Sequence, residues 1–128
     1  MAIRGTIGYE TLEGGFIGVY CHYDSYPSHM APILHAMFHI DVVLMVNQAL
    51  ARGGIRAVSG INDFELFSAA TLSGGELQRL RRAAWPARRE EYAYRKCLDG
   101  RLEYIDSADT PFVWGERPGE HLLGPHAD

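Results

Sequence analysis

Between Phe16 and Met37 the sequence changes its hydrophobic period within a few residues. Ile17, Val19, Cys21 and Tyr23 alternate with Gly18, Tyr20, His22 and Asp24, the two-residue repeat of a strand with one buried face. From Met30 onward the apolar residues fall at helical spacing, as Met30, Ile33, Leu34 and Met37. Pro27 and Ser28 suit the first turn of a helix. A chain with this pattern turns from sheet to helix at Ser25-Tyr26-Pro27 and points to an α+β domain. The alternation also assigns faces. Cys21 belongs with the core set, and Tyr20, His22 and Asp24 share the wetter side.

The remaining segments fit around that corner. Ile3 to Tyr9 reads as a strand, with a turn at Glu13-Gly14-Gly15 before the next. A second helix is expected from Asp41, a good N-cap, to Arg52, with Val42, Val43, Val46 and Leu50 as its stripe and Gly53-Gly54 as its cap. No strong breaker separates Phe38 from Asp41, so one bent helix fits equally. Gly54 to Gly60 reads as a short strand, and Asp63 to Phe67 as a strand or a helical turn. Ser73 to Ala84 looks helical, with Ser73 and Glu76 resembling a capping box and Trp85-Pro86 ending it. Tyr92, Tyr94 and Lys96 alternate toward Asp99-Gly100, and Leu102 and Tyr104 leave it, which predicts a hairpin with a tight primed turn. Phe112-Val113-Trp114 adds a last strand. The expected architecture is one α+β domain over 1–114, an antiparallel sheet of the N-terminal strands and the C-terminal hairpin packed against two or three helices, with 115–128 as a loose tail.

Composition narrows the function classes. A chain of 128 residues can bury one core without disulfides or a metal. Its net charge of −4 argues against a dedicated nucleic-acid binder. Two cysteines are too few for a disulfide framework and no signal peptide is evident, so a reducing cytoplasm is expected. The apolar run from Ile40 to Leu50 is interrupted by Asp41, Asn47 and Gln48 and is too short to span a bilayer.

Several constellations could carry chemistry. Cys21 and His22 are adjacent, but strand neighbours point to opposite faces, so a nucleophile–base pair is disfavoured. His22 and Asp24 share a face and could orient an imidazole for acid–base work, although a structural hydrogen bond at a strand end is the commoner outcome. His35 and His39 stand four apart and, with His22, His29 or Asp24, would suit a transition metal; no H-E-x-x-H pattern or cysteine pair accompanies them, and no metal or cofactor is expected. Leu72-Ser73-Gly74-Gly75-Glu76 resembles the signature motif of ABC-type ATPases, but the chain lacks a phosphate-binding loop with Gly-Lys-Ser/Thr. Arg79, Arg81, Arg82, Arg88 and Arg89 surround Trp85, a combination suited to phosphates and stacked bases, although Glu90 and Glu91 dilute the charge and a solvated helix face is the default reading. The tyrosines lie in or beside expected strands, either as core-edge residues or as a flat recognition surface. The candidate binding residues are Tyr20, His22, Asp24, Tyr26, Arg81, Arg82, Trp85, Arg88, Tyr92 and Tyr94.

The segment Ile17-Gly18-Val19-Tyr20-Cys21-His22-Tyr23-Asp24-Ser25-Tyr26-Pro27 resembles a hallmark of small phage and prophage accessory proteins: an apolar strand, then Tyr-Cys-His-aromatic-Asp-Gly-Tyr-Pro, then a helix. Ser25 stands where that pattern has Gly. Tyr92-Ala93-Tyr94 and Asp99-Gly100-Arg101 are similar to the family's later aromatic strand and turn. The resemblance implies a non-catalytic counter-defence protein in the host cytoplasm. Its first form is an anti-CRISPR protein that binds a Cas effector complex and blocks DNA access. Its second is a sponge for a cyclic nucleotide immune signal, which implies a homo-oligomer with pockets between subunits. A small hydrolase using His22 and Asp24 is the reading from another class.

Overall fold

A computed structural model describes residues 3–67 and 92–105, and the backbone of 111–113. The helix expected over Ser73–Ala84, the arginines with Trp85, the residue Trp114 and the tail over 115–128 lie outside the described residues. The fold is α+β, as the period switch requires. Its elements in chain order are β1 (Gly5–Glu10), β2 (Phe16–Cys21), α1 (Pro27–Ala36), α2 (His39–Leu50), β3 (Ile55–Gly60), β4 (Asp63–Leu66), β5 (Tyr92–Lys96), β6 (Leu102–Ile105) and β7 (Pro111–Val113). The strands form one sheet in the order β4-β3-β2-β1-β5-β6-β7.

The hairpins are antiparallel, but the sheet is mixed, where an antiparallel one was expected. β2 runs parallel to β3, and β1 runs parallel to β5. The first parallel pair follows from the two helices, which carry the chain across the sheet from β2 to β3. The second places the C-terminal hairpin beside β1 instead of β2.

α2 lies over β1 and β2, and α1 lies over β5 and β6, on one face. Ile7, Val19, Met30, Leu34, Met45 and Tyr94 are at the centre of the core beneath them. At about 25 cal/mol per Å² of buried apolar area, that core is the main driving force for the fold. The sheet is buried on its other face too, at Thr6, Phe16, Ala93, Cys97 and Ile105.

The two helices meet at an angle of 116°. Met37 and Phe38 are both extended, so α2 starts at His39, and Asp41 is its third residue, in the first turn, instead of its cap. The Asp41 carboxylate instead accepts a hydrogen bond from the Phe38 amide at 3.4 Å. Contacts with the sheet fix the bend: Lys96 Nζ donates to the His35 carbonyl at 2.9 Å, and His39 Nε2 lies 2.9 Å from the Glu10 carbonyl. A cation at a helix C-terminus satisfies orphan carbonyls and complements the helix dipole.

The turn at Asp99-Gly100 differs from the expected primed type. Gly100 N–H donates to the Cys97 carbonyl at 3.0 Å, which makes Leu98 and Asp99 the central residues. Asp99 keeps a negative φ, while Gly100 takes the left-handed position at φ 94°. This is a type I turn followed by a glycine bulge, a longer loop that needs one left-handed residue and not two. Thr11 to Gly15 repeats the arrangement, with Gly14 at φ 84°. No single described helix is long and apolar enough to cross a membrane.

Candidate functional site

The strand-to-helix corner is built from the inside. Cys21 and Ser25 are buried, and Gly5 faces them across the β1–β2 pairing. A methyl group on Gly5 would stand 2.7 Å from Ser25 Cβ, so only glycine lets the corner close on β1. The Ser25 amide donates to the Ile3 carbonyl at 3.0 Å, and Tyr94 Oη donates to the Ser25 carbonyl at 2.6 Å. The left-handed conformation at this corner falls on Asp24, at φ 56°, which aspartate tolerates better than most residues. Serine therefore fits where the resembling pattern has glycine.

Cys21 is a core residue. Burial pushes its thiol up to about 11, so it holds its proton and is a poor nucleophile at neutral pH. His22 points to the opposite face, as alternation requires.

That outer face carries a row of donors. Antiparallel register pairs Gly5 with Cys21, which sets Arg4 opposite His22. Parallel register pairs Cys21 with Ile55, which sets Arg56 beside His22 on the other side. The His22 and Tyr23 amides donate to the Ile55 and Arg56 carbonyls, each at 3.0 Å, so the alignment persists past the end of β2. Aromatic rings pack around the histidine. Tyr23 meets its ring edge-on at 4.4 Å between centroids, Phe67 at 5.8 Å, and Tyr20 stacks on Phe67 at 6.2 Å. Tyr20 Oη and His22 Nδ1 share a short hydrogen bond of 2.5 Å. The Arg56 guanidinium lies over the Tyr23 ring, 5.6 Å from its centroid. Burial, then the charges of Arg4 and Arg56, hold the His22 imidazole below its ordinary value, so it is neutral at pH 7.

The expected binding residues divide. Tyr20 and His22 come together, but Asp24 takes the left-handed conformation after the end of β2, and no hydrogen bond or ion pair joins it to His22. Tyr23, expected on the core face, is 37% exposed. The backbone stops alternating once it passes Cys21, and the ring swings to the outer side beneath Arg56. Tyr26 is also exposed, with its ring 5.8 Å from that of His29. Tyr94 is fully buried and stacks on Tyr104 at 5.7 Å, so it supports the corner and presents nothing to a partner; Tyr92 packs against the core edge. Arg81, Arg82, Trp85 and Arg88 lie outside the described residues. The histidines are dispersed: His29 bonds the Val58 carbonyl, His39 the Glu10 carbonyl, and His35 and His39 belong to different helices. Among the described residues no three metal-ligating side chains come together.

A second surface lies at the helix bend. Phe38 is 75% exposed, Ile40 57% and Leu98 44%. Together with Met37 and Lys96 they line a groove of about 690 Å³ between the bend and the β5–β6 turn. The Leu98 amide bonds the Glu10 carboxylate at 2.9 Å, which brings the β1–β2 turn, with its exposed Leu12, to the same end of the sheet. Sequence reasoning missed this surface, because the two expected helical stripes, ending at Met37 and starting at Val42, leave Phe38 and Ile40 unassigned. It also missed Arg4, Arg56 and Phe67, which only strand register joins to His22.

No protein-family model, curated protein or solved structure matches the chain.

Proposed function

We propose that this protein is a non-catalytic binder that acts by stoichiometric capture of a protein target. In the setting its Tyr20–Pro27 motif implies, it is a phage counter-defence protein that occupies a host Cas effector complex. The observation that carries the reading is the exposed apolar end formed by Phe38, Ile40 and Leu98 around the helix bend. Large apolar side chains grouped on a surface mark interaction sites, and a core of that kind with a polar rim is the usual anatomy of an interface. Glu10, Asp99 and Arg101 supply such a rim here. The net charge of −4 suits a partner whose own surface is basic because it holds nucleic acid. The hydrolase reading calls for a His22–Asp24 pair, and no hydrogen bond or ion pair joins those side chains.

The test is co-elution with purified Cas effector complexes, using the wild-type protein and the Phe38→Asp and Ile40→Asp variants. Both positions are exposed, so the variants should unfold within about 0.5 kcal/mol of wild type. Wild type should co-elute and block target DNA binding, and each variant should lose both. Failure of the wild type to bind any complex, or undiminished binding by both variants, defeats the reading. A second reading, capture of a nucleotide signal, is favoured by a separate observation, the Arg4–His22–Arg56 row.

A further inference from the structure

We propose that the Arg4–His22–Arg56 row, with the rings of Tyr23 and Phe67, is a binding site for a small free nucleotide. The inference deepens the nucleotide reading above and rests on it; it does not depend on the apolar end. Register is the first support. Three adjacent strands place three nitrogen-bearing side chains side by side on one face. Neighbouring strands lie about 4.8 Å apart, so the outer two side chains can converge on one phosphate held over the middle one. Guanidinium groups bind phosphate oxygens through paired, charge-assisted hydrogen bonds, and two of them make a selective clamp.

The histidine completes the row as a neutral donor. Its Nδ1 is engaged by Tyr20 Oη, and Nε2 has no partner among the described residues. With Nδ1 accepting the tyrosine proton, Nε2 carries the ring hydrogen and is a donor on the same face as the two arginines. Glu65 lies 3.9 Å from Arg56 Nε with both side chains well exposed, a pair too loose to neutralise the site.

The rings explain why the ligand carries a base. Tyr23 is exposed, and Phe67 and His22 are partly exposed, so aromatic surface lies within reach of any phosphate bound on the row. A base stacked on an aromatic side chain gains about 1–3 kcal/mol without needing sequence-specific hydrogen bonds. Bare phosphate would forgo that contact, and a nucleoside would forgo the clamp.

The experiment is calorimetric titration of the full chain with AMP, cyclic di-AMP, adenosine, inorganic phosphate and an oligothymidylate. AMP or cyclic di-AMP should bind at least about tenfold more tightly than adenosine or phosphate alone, the factor that 1.4 kcal/mol represents. Arg4→Ala and Arg56→Ala should each weaken that binding by about tenfold while leaving thermal unfolding unchanged, and added salt should weaken it further. Phe38→Asp should leave nucleotide binding intact, and Arg4→Ala should leave co-elution with a Cas complex intact, so the two surfaces fail or stand separately. Adenosine binding as tightly as AMP, no nucleotide binding at millimolar concentration, or tighter binding of the oligothymidylate than of either small nucleotide would each overturn the proposal.

Discussion

Replacing Tyr94 with phenylalanine tests how the strand-to-helix corner is held. The hydroxyl is the only group removed. The ring stays fully buried and keeps its stacking on Tyr104, so almost no apolar burial changes. What disappears is the 2.6 Å bond to the Ser25 carbonyl, which joins residues 69 apart in sequence. Ser25 is itself fully buried, so water cannot replace the lost donor. Leaving a buried carbonyl unsatisfied costs about 1–3 kcal/mol. With a urea dependence of about 2 kcal/mol/M for a chain of this size, the unfolding midpoint should fall by about 0.5–1.5 M at unchanged slope. Urea titration followed by circular dichroism reads both quantities. The Ser25 amide, bonded to Ile3, should also exchange faster with deuterium, because the corner loses one of its two ties. A midpoint shift below about 0.2 M would refute the reasoning, since the bond would then contribute less than its burial implies.

Two further predictions concern titratable groups. Burial pushes both Cys21 and Cys97 up to about 11, so neither thiol should react with Ellman's reagent in the folded protein at pH 8, and both should react in urea. Because folded Cys21 keeps a proton that the unfolded chain releases, the stability it confers is present below pH 9 and is lost as pH rises from 9 toward 11, on the order of 2 kcal/mol; Cys21→Ala should flatten that alkaline fall, and an equal fall in the variant would disprove its cause. His22 should titrate below 6.5 by NMR, since burial and then the two arginines disfavour its cation; its contribution to stability is present above pH 6.5 and is lost as pH falls through the lowered value. The double variant Arg4→Ala, Arg56→Ala should move that midpoint upward, and an unchanged midpoint would show that the arginines do not act on the ring.

The local architecture was readable wherever chemistry repeats along the chain. Alternation through Cys21 and helical spacing after Pro27 gave the corner, and Tyr92 to Tyr104 gave the hairpin. What escaped was decided by groups distant in sequence. Asp99-Gly100 fits a primed turn and a bulged turn alike, and only the position of the left-handed residue separates them. Nothing in Met37-Phe38 breaks a helix locally; Lys96 and His39, reaching to or from the sheet, determine the bend. The parallel joins leave no local trace, because periodicity reports which face a residue takes and not which strand lies beside it. The candidate site was half legible for the same reason. Tyr20 and His22 share a face by simple alternation. Arg4 and Arg56 reach the same spot through two registers, one antiparallel and one parallel.

The two proposed surfaces are separated by the geometry of a single hairpin. β1 and β2 are antiparallel, so the start of β1 and the end of β2 lie together and carry Arg4 and His22. The other end carries Glu10 and the turn with Leu12, beside the helix bend. Glu10 is six residues along β1 from Arg4, which at about 3.4 Å per residue is roughly 20 Å of sheet. Substitutions that far apart with no shared partner act additively, so a protein target at one end and a nucleotide at the other place no steric demand on each other. Any coupling between them would have to pass through the Tyr94–Ser25 tie or the β1–β2 ladder. Both are buried, well-packed elements with one arrangement in this fold, and rigid elements of that kind transmit little unless a second arrangement exists. The physical expectation is therefore two independent sites on one small scaffold, with the corner from Tyr20 to Pro27 acting as the support that positions His22 and Tyr23 and leaves Cys21 out of the chemistry.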